Sequence, residues 1–99
     1  MSDPLMIGRY QLENLLKNGV LFHFFNLSVQ SSAHSLLHGS VKLEASAAVE
    51  HISHLGLSKD APIVLICENG AKSMEVARVL GENLFLNVYV VEGGTVSLV

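Results

Sequence analysis

The chain of 99 residues holds a single cysteine, Cys67, at the junction between an apolar run and a helical pattern in "IVLICENGAKSMEVARVL". A thiol at that junction does chemistry if it ionises. Successive backbone N–H groups of a tight loop entering a helix can converge on an anion, and the helix dipole adds partial positive charge. A thiolate held there has a lowered pKa and is a competent nucleophile near pH 7. Gly70 supplies the conformational freedom such a loop demands. Lys72 brings a cation, and Ser73 can cap the helix or donate a hydrogen bond to the sulfur. The candidate site is therefore Cys67 as nucleophile, with Glu68, Asn69, Gly70, Ala71, Lys72 and Ser73 as the loop around it. A free cysteine at a strand end is also, commonly, a small buried hydrophobe with no reactivity.

The elements that must position this loop follow from hydrophobic spacing. "IGRYQLENLLKNG" places Ile7, Tyr10, Leu12, Leu15 and Leu16 at helical intervals, and Gly19 is suited to end that helix. "VLFHFF", Val20 to Phe25, reads as a buried strand, with Phe22, Phe24 and Phe25 as core. A Ser-rich connection follows, with one helical turn expected around Ala33 to Leu37, and then a brief strand at "VKL". "ASAAVEHISHLGL" predicts a second helix with Ser46 as N-cap and Gly56 as its stop. Asp60 and Pro62 mark a turn before the β-branched strand ending at Cys67. A third helix is predicted over Lys72 to Asn83, and "NVYVVEGG" predicts a last strand and a double-glycine turn. Strands alternating with helices of this length give an α/β fold: a mostly parallel sheet of four to five strands flanked by helices. In such sheets ligands bind beyond the carboxyl ends of the strands, which is where Cys67 falls.

Composition narrows the function classes. Ninety-nine residues suit one domain spanning 1–99. Hydrophobic residues make up 49% and charged ones 15%, yet no apolar run is long enough for a bilayer, so no membrane segment is expected. The start "MSDPLMIGRY" lacks the pattern of a secretory signal, and a lone cysteine suits a reducing cytoplasm. A net charge of -3, with six scattered Lys and Arg, speaks against nucleic acid as partner. His51 and His54 lie three apart, and His34 and His38 four apart, but no third ligand joins either pair, so no metal site is expected. Glu75 and Arg78 are expected as an exposed pair on the third helix.

"ICENGAKSMEVARVL" resembles the active-site segment of rhodanese-like domains, an apolar strand followed by C-x-x-G-x-R-S and a helix. The Gly-Gly of "VYVVEGG" matches a feature these domains commonly carry after the last strand, and the spacing between the two agrees. The resemblance covers roughly the last third of the chain. It implies a single-domain sulfurtransferase in which Cys67 takes a sulfur from a small anionic donor such as thiosulfate, forming a persulfide. A thiol, cyanide or a protein sulfur carrier would then accept it, with no metal or organic cofactor. The loop amides from Glu68 to Ser73 would stabilise the persulfide's charge.

The chain departs from the pattern in places. Where rhodaneses usually have D-V-R, Phe24 stands at the Asp and Asn26 at the Arg. Of G-H-I-P-G-A, Gly39 and a small residue, Ser40, are kept, with His38 at the proline and Leu36 at the histidine. Lys72 replaces the usual Arg, giving a point charge instead of a bidentate fork, and Glu68 adds a negative charge to an anion-binding loop. Both imply slow thiosulfate turnover or a different donor. Two other readings stay open: a rhodanese-like binding module without catalysis, and a cysteine phosphatase. The latter's C-x5-R loop would need an arginine where this chain has Ser73.

Overall fold

The computed structural model describes residues 4–19, 21–28, 37 and 39–95. Their order is β1 (Leu5–Ile7), α1 (Arg9–Lys17), β2 (His23–Asn26), β3 (Val41–Lys42), α2 (Ala45–Ser53), β4 (Ile63–Ile66), α3 (Ala71–Glu82) and β5 (Val88–Val91). The five strands form one sheet in the order β1-β5-β4-β2-β3, and every pairing is parallel. The α/β sheet flanked by helices is thus the observed architecture.

Period-two alternation decides which helix covers which face. Phe25, Leu27, Ile63, Leu65, Cys67, Val88 and Val90 pack together with Ala48 and Ile52 of α2 and with Val76, Ala77 and Leu80 of α3. Their neighbours in the strands, Phe24, Val64, Ile66 and Val91, point the other way, onto Leu12 of α1, Ile7 and Leu37. Strand β4 is buried along its whole length because both of its faces are covered, which is why it reads as an unbroken apolar run.

The topology also locates a crevice. Strand β2 is followed in the chain by β3 at one sheet edge, and Leu37 between them packs on the α1 face. The β4 to β5 connection runs through α3 on the opposite face toward the other edge. The chain thus leaves the paired strands β2 and β4 in opposite directions at their carboxyl ends, the place where open α/β sheets hold ligands. Cys67 and Leu27 sit there, and the Leu27 N–H donates to the Ile66 carbonyl at 2.7 Å.

Several boundaries differ from the sequence reading, each for a local reason. The first helix does not include Ile7, which belongs to β1 and pairs with Val91. Gly8 is its N-cap and Gln11 folds back to the Gly8 N–H. Tyr10, expected on the apolar side, is 78% exposed. The second strand begins at His23, where its pairing with Ile63 begins; Leu21 is exposed, Phe22 is half-buried, and Val20 lies outside the described residues. Ser46 is not a cap: the N-cap lies two residues earlier at Glu44, whose side chain makes no capping hydrogen bond. That helix ends at Ser53, before Gly56, whose φ of 71° turns the chain two residues past the C-cap His54. The third helix is shifted by one residue, Ala71–Glu82, with Asn83 as C-cap. Glu75 and Arg78 are exposed but form no ion pair with each other. The turn expected around Ala33 to Leu37, apart from the buried Leu37, lies outside the described residues, as do His34 and His38.

Candidate active site

A helix start leaves four backbone N–H groups without partners, and a polar side chain at the N-cap usually accepts one of them. In α3 the N-cap is Gly70, which has no side chain to offer. Cys67 fills the role from three residues upstream. Its sulfur accepts the Gly70 N–H at 3.1 Å and the Ser73 N–H at 3.4 Å. Gly70 reaches this geometry at φ 92°, a left-handed conformation that favours glycine. Asn69 steadies the turn, its Oδ1 accepting the Ala71 N–H at 3.0 Å. The Ala71 N–H is thereby taken, and the Gly70 and Ser73 amides are left to face the sulfur.

Burial is the largest single influence on the Cys67 thiol and pushes its pKa up. Acting against it are the Ser73 side chain and the N–H groups of Ser73, Gly70 and Asn69, and together they win, leaving the pKa below that of an ordinary cysteine. The Ser73 hydroxyl is fully buried and completes no hydrogen bond, although it stands near enough to the sulfur to favour the charged form. A proton donor is thus held beside the sulfur with no other acceptor. Cys67 itself is 1% exposed.

This electrostatic balance has a direct readout, because the chain contains one thiol. Iodoacetamide alkylation of the folded protein is expected to titrate with a midpoint below that of the same thiol in denaturant. A midpoint at or above the denatured value would mean that burial outweighs the loop's donors.

The other candidate residues are placed unequally. Glu68 is half-buried, and Lys72 is exposed at the second residue of α3. Lys72 borders a groove of about 830 Å³ whose floor includes Leu27, Leu43 and Val76. Sequence reasoning missed what braces the loop from behind. The Cys67 carbonyl accepts the Thr95 N–H at 2.7 Å, and a side chain on Gly94 would lie 2.1 Å from that same oxygen. A side chain on Gly70 would in turn lie 3.8 Å from the Gly93 nitrogen, at ordinary van der Waals range. The signal was the Gly-Gly pair itself, which marks a close backbone approach. Asn26 and Ser28, at the end of β2, are buried and bonded to each other, with Asn26 Oδ1 accepting the Ser28 N–H at 3.0 Å and its hydroxyl at 2.6 Å. His51 and His54 are exposed, and no group of three metal-ligating side chains occurs among the described residues.

No protein-family model matches the sequence, and no curated protein matches it. Solved structures do. A rhodanese-like domain protein from Staphylococcus aureus superposes with a TM-score of 0.75 over 92% of this chain and 87% of its own, at 17% identity. A rhodanese-related protein from Thermoplasma volcanium matches with a TM-score of 0.65 over 94% and 88%, at 25% identity. The chain has the rhodanese-like fold. An NAD-dependent persulfide reductase from A. fulgidus contains a similar unit, matching 97% of this chain but 16% of that longer one, with a TM-score of 0.70 and 17% identity. In the rhodanese-like frame, the polar D-V-R position is occupied by Phe24 and Asn26, of which Phe24 is core and Asn26 closes its own turn with Ser28. No helix among the described residues is long and apolar enough to cross a membrane.

Proposed function

We propose that this rhodanese-like chain is a sulfurtransferase that works through a persulfide on Cys67. The observation that carries the reading is the sulfur's setting at the switch point of the sheet. Two backbone amides point at it from the start of α3, and the buried Ser73 hydroxyl beside it has no other partner. Such donors stabilise charge on a sulfur atom, first the thiolate and then the terminal sulfur of a persulfide.

With thiosulfate as donor, the Cys67 thiolate attacks the outer sulfur, the S–S bond breaks, and its electron pair leaves with sulfite. The product is Cys67–S–S⁻. A thiophilic acceptor then attacks that terminal sulfur and regenerates the thiolate, cyanide leaving as thiocyanate. No cofactor enters either step. A reducing compartment such as the cytoplasm would keep Cys67 available as a thiol. The expected result is a mass gain of one sulfur at Cys67 on thiosulfate treatment, and thiocyanate formation that disappears in Cys67→Ala. Thiocyanate formation that survives Cys67→Ala would sink the proposal.

One observation favours a second reading, a binding module without turnover: the thiol is 1% exposed, so a donor reaches it only if the loop's rim parts. That reading expects no mass gain from any sulfane donor, and a protein partner whose binding survives Cys67→Ser.

A further inference from the structure

We infer that the amino end of the sheet, opposite the Cys67 loop, is the contact surface of a two-fold dimer in which a second copy of this chain covers Leu21, Leu84 and Leu86. The inference is independent of the chemistry at Cys67.

It starts from one leucine. Helix α3 ends in two bonds that close a left-handed turn: the Phe85 N–H donates to the Leu80 carbonyl at 3.1 Å, and the Leu84 N–H to the Gly81 carbonyl at 3.0 Å. This pattern puts the residue after the C-cap in the left-handed region, where glycine is usual because it bears no Cβ. Here the residue is Leu84 at φ 69°, the one non-glycine with positive φ among the described residues. The turn is held from outside, since Lys59 Nζ donates to the Asn83 carbonyl at 3.0 Å and the Leu86 N–H to the Lys59 carbonyl at 2.8 Å. A leucine in that conformation strains the backbone, and its side chain is 69% exposed. Both features are unfavourable in an isolated chain, and a glycine would make the same turn with neither. A partner that covers the side chain offsets them.

Leu84 has company. Leu86 and Leu21 are 61% and 90% exposed. The His23 N–H donates to the Pro62 carbonyl and the Ile63 N–H to the Asn87 carbonyl, which carries the ladder of β2, β4 and β5 down to the residues before each strand. Leu21 and Leu86 therefore emerge on either side of the Ala61–Pro62 step, at the end where α3 delivers Leu84. Apolar side chains gathered at one place mark an association surface, whereas scattered ones do not.

Charge says that the partner is a second copy. Leu12 of α1 packs in one cluster with Val64 and Val91, and Ala77 and Leu80 of α3 pack in the other with Ile63 and Val90. The two helices thus back β4 and β5 from opposite faces. Each returns the chain from the carboxyl end of one parallel strand to the amino end of the next, so both helices finish at the leucine end. Lys17, the last residue of α1, stands exposed on one side of the patch, and Glu82, the last of α3, stands exposed on the other. A two-fold axis running across the sheet within the contact plane exchanges the faces. It brings Lys17 to Glu82 of the copy, twice, with the leucines between. The perpendicular two-fold would set like charges together. Both Cys67 loops lie at the far ends of such a dimer and stay open. The contact is small, and interfaces below about 1,200 Å² in total belong to weak, reversible association, so the dissociation constant should be micromolar.

Sedimentation velocity over a concentration series reads the outcome. Wild type is expected to shift from one-chain to two-chain species as concentration rises through the micromolar range. Leu84→Gly keeps the turn and relieves its strain, so in dilute solution it should melt higher than wild type, yet dimerise about ten-fold more weakly. Lys17→Glu and Glu82→Lys should each remain single at concentrations where wild type pairs. Mixed in equal amounts they should form a heterodimer, because each supplies the complement that the other lacks. A wild-type chain that stays single throughout the series overturns the inference. So does a dimer indifferent to Leu84→Gly, or a mixture no more associated than either charge variant alone.

Discussion

Gly94→Ala is expected to lower stability by about 2–5 kcal/mol and to pull the cysteine loop out of place. Two costs add. Gly94 has φ 61°, where an L-residue is disfavoured by about 1–2 kcal/mol. The new Cβ would also sit 2.1 Å from the Cys67 carbonyl oxygen and 2.6 Å from the Glu68 carbonyl carbon and oxygen. Those neighbours are backbone atoms and cannot swing aside as a side-chain tip would. Either the turn after β5 or the loop after β4 has to move, and overpacking of this kind costs about 1–3 kcal/mol or more. The Thr95 N–H to Cys67 carbonyl bond, 2.7 Å long, would be lost with the movement. For a chain of this length the midpoint of thermal unfolding should fall on the order of 15 °C or more. Gly56→Ala is the control: φ is 71° there, but the space around the new Cβ is open. It should cost only about 1 kcal/mol, the conformational part alone. Equal effects of the two substitutions would show that Gly94 is not a brace. The thiol reports independently, since a displaced loop should raise the alkylation midpoint in Gly94→Ala and leave it unmoved in Gly56→Ala.

This coupling explains which parts of the molecule were legible in the sequence. The central strand and the third helix could be read because their signals are local. Ile63–Ile66 is apolar on both faces, and Val76 and Leu80 repeat at helical spacing. Strand β1 could not. Three residues are too few for alternation to show, and the strand exists because Leu5–Ile7 pairs with Tyr89–Val91, more than eighty positions away. With no reason to end a strand at Ile7, its spacing to Tyr10 looked helical, although Tyr10 faces solvent. Ser46 looked like a cap by residue type, but the register of α2 is set by Ala48 and Ile52 meeting the core. The site divided along the same line. Cys67, Gly70 and Ser73 are near neighbours, so their convergence could be foreseen. The contribution of Gly94 and Thr95, and the groove built from Leu27, β3, α2 and α3, arise only when distant segments meet.

Ser73→Ala is expected to separate stability from reactivity. A buried hydroxyl without a partner costs about 1–3 kcal/mol of desolvation, and replacing it with a methyl group removes that cost at the expense of a small void. The variant should therefore be more stable than wild type, by roughly 1 kcal/mol, in urea titrations at acidic pH. The same change removes a group that favours the thiolate, so the Cys67 pKa should rise and alkylation near neutrality should slow. The sign of the pH dependence follows. Because the folded thiol has a pKa below its unfolded value, wild type gains stability as pH rises from the folded pKa to the unfolded one and holds it above. That contribution is lost as pH falls back through the folded pKa. Ser73→Ala has less of it to gain, so its advantage should be largest in acid and shrink as pH increases through this window. Under the proposed function, a hydroxyl that costs stability beside the sulfur would be kept for its chemistry. A Ser73→Ala chain that is less stable in acid and alkylates with an unshifted midpoint would make the hydroxyl ordinary packing, and the electrostatic case for Cys67 would then rest on the backbone amides alone.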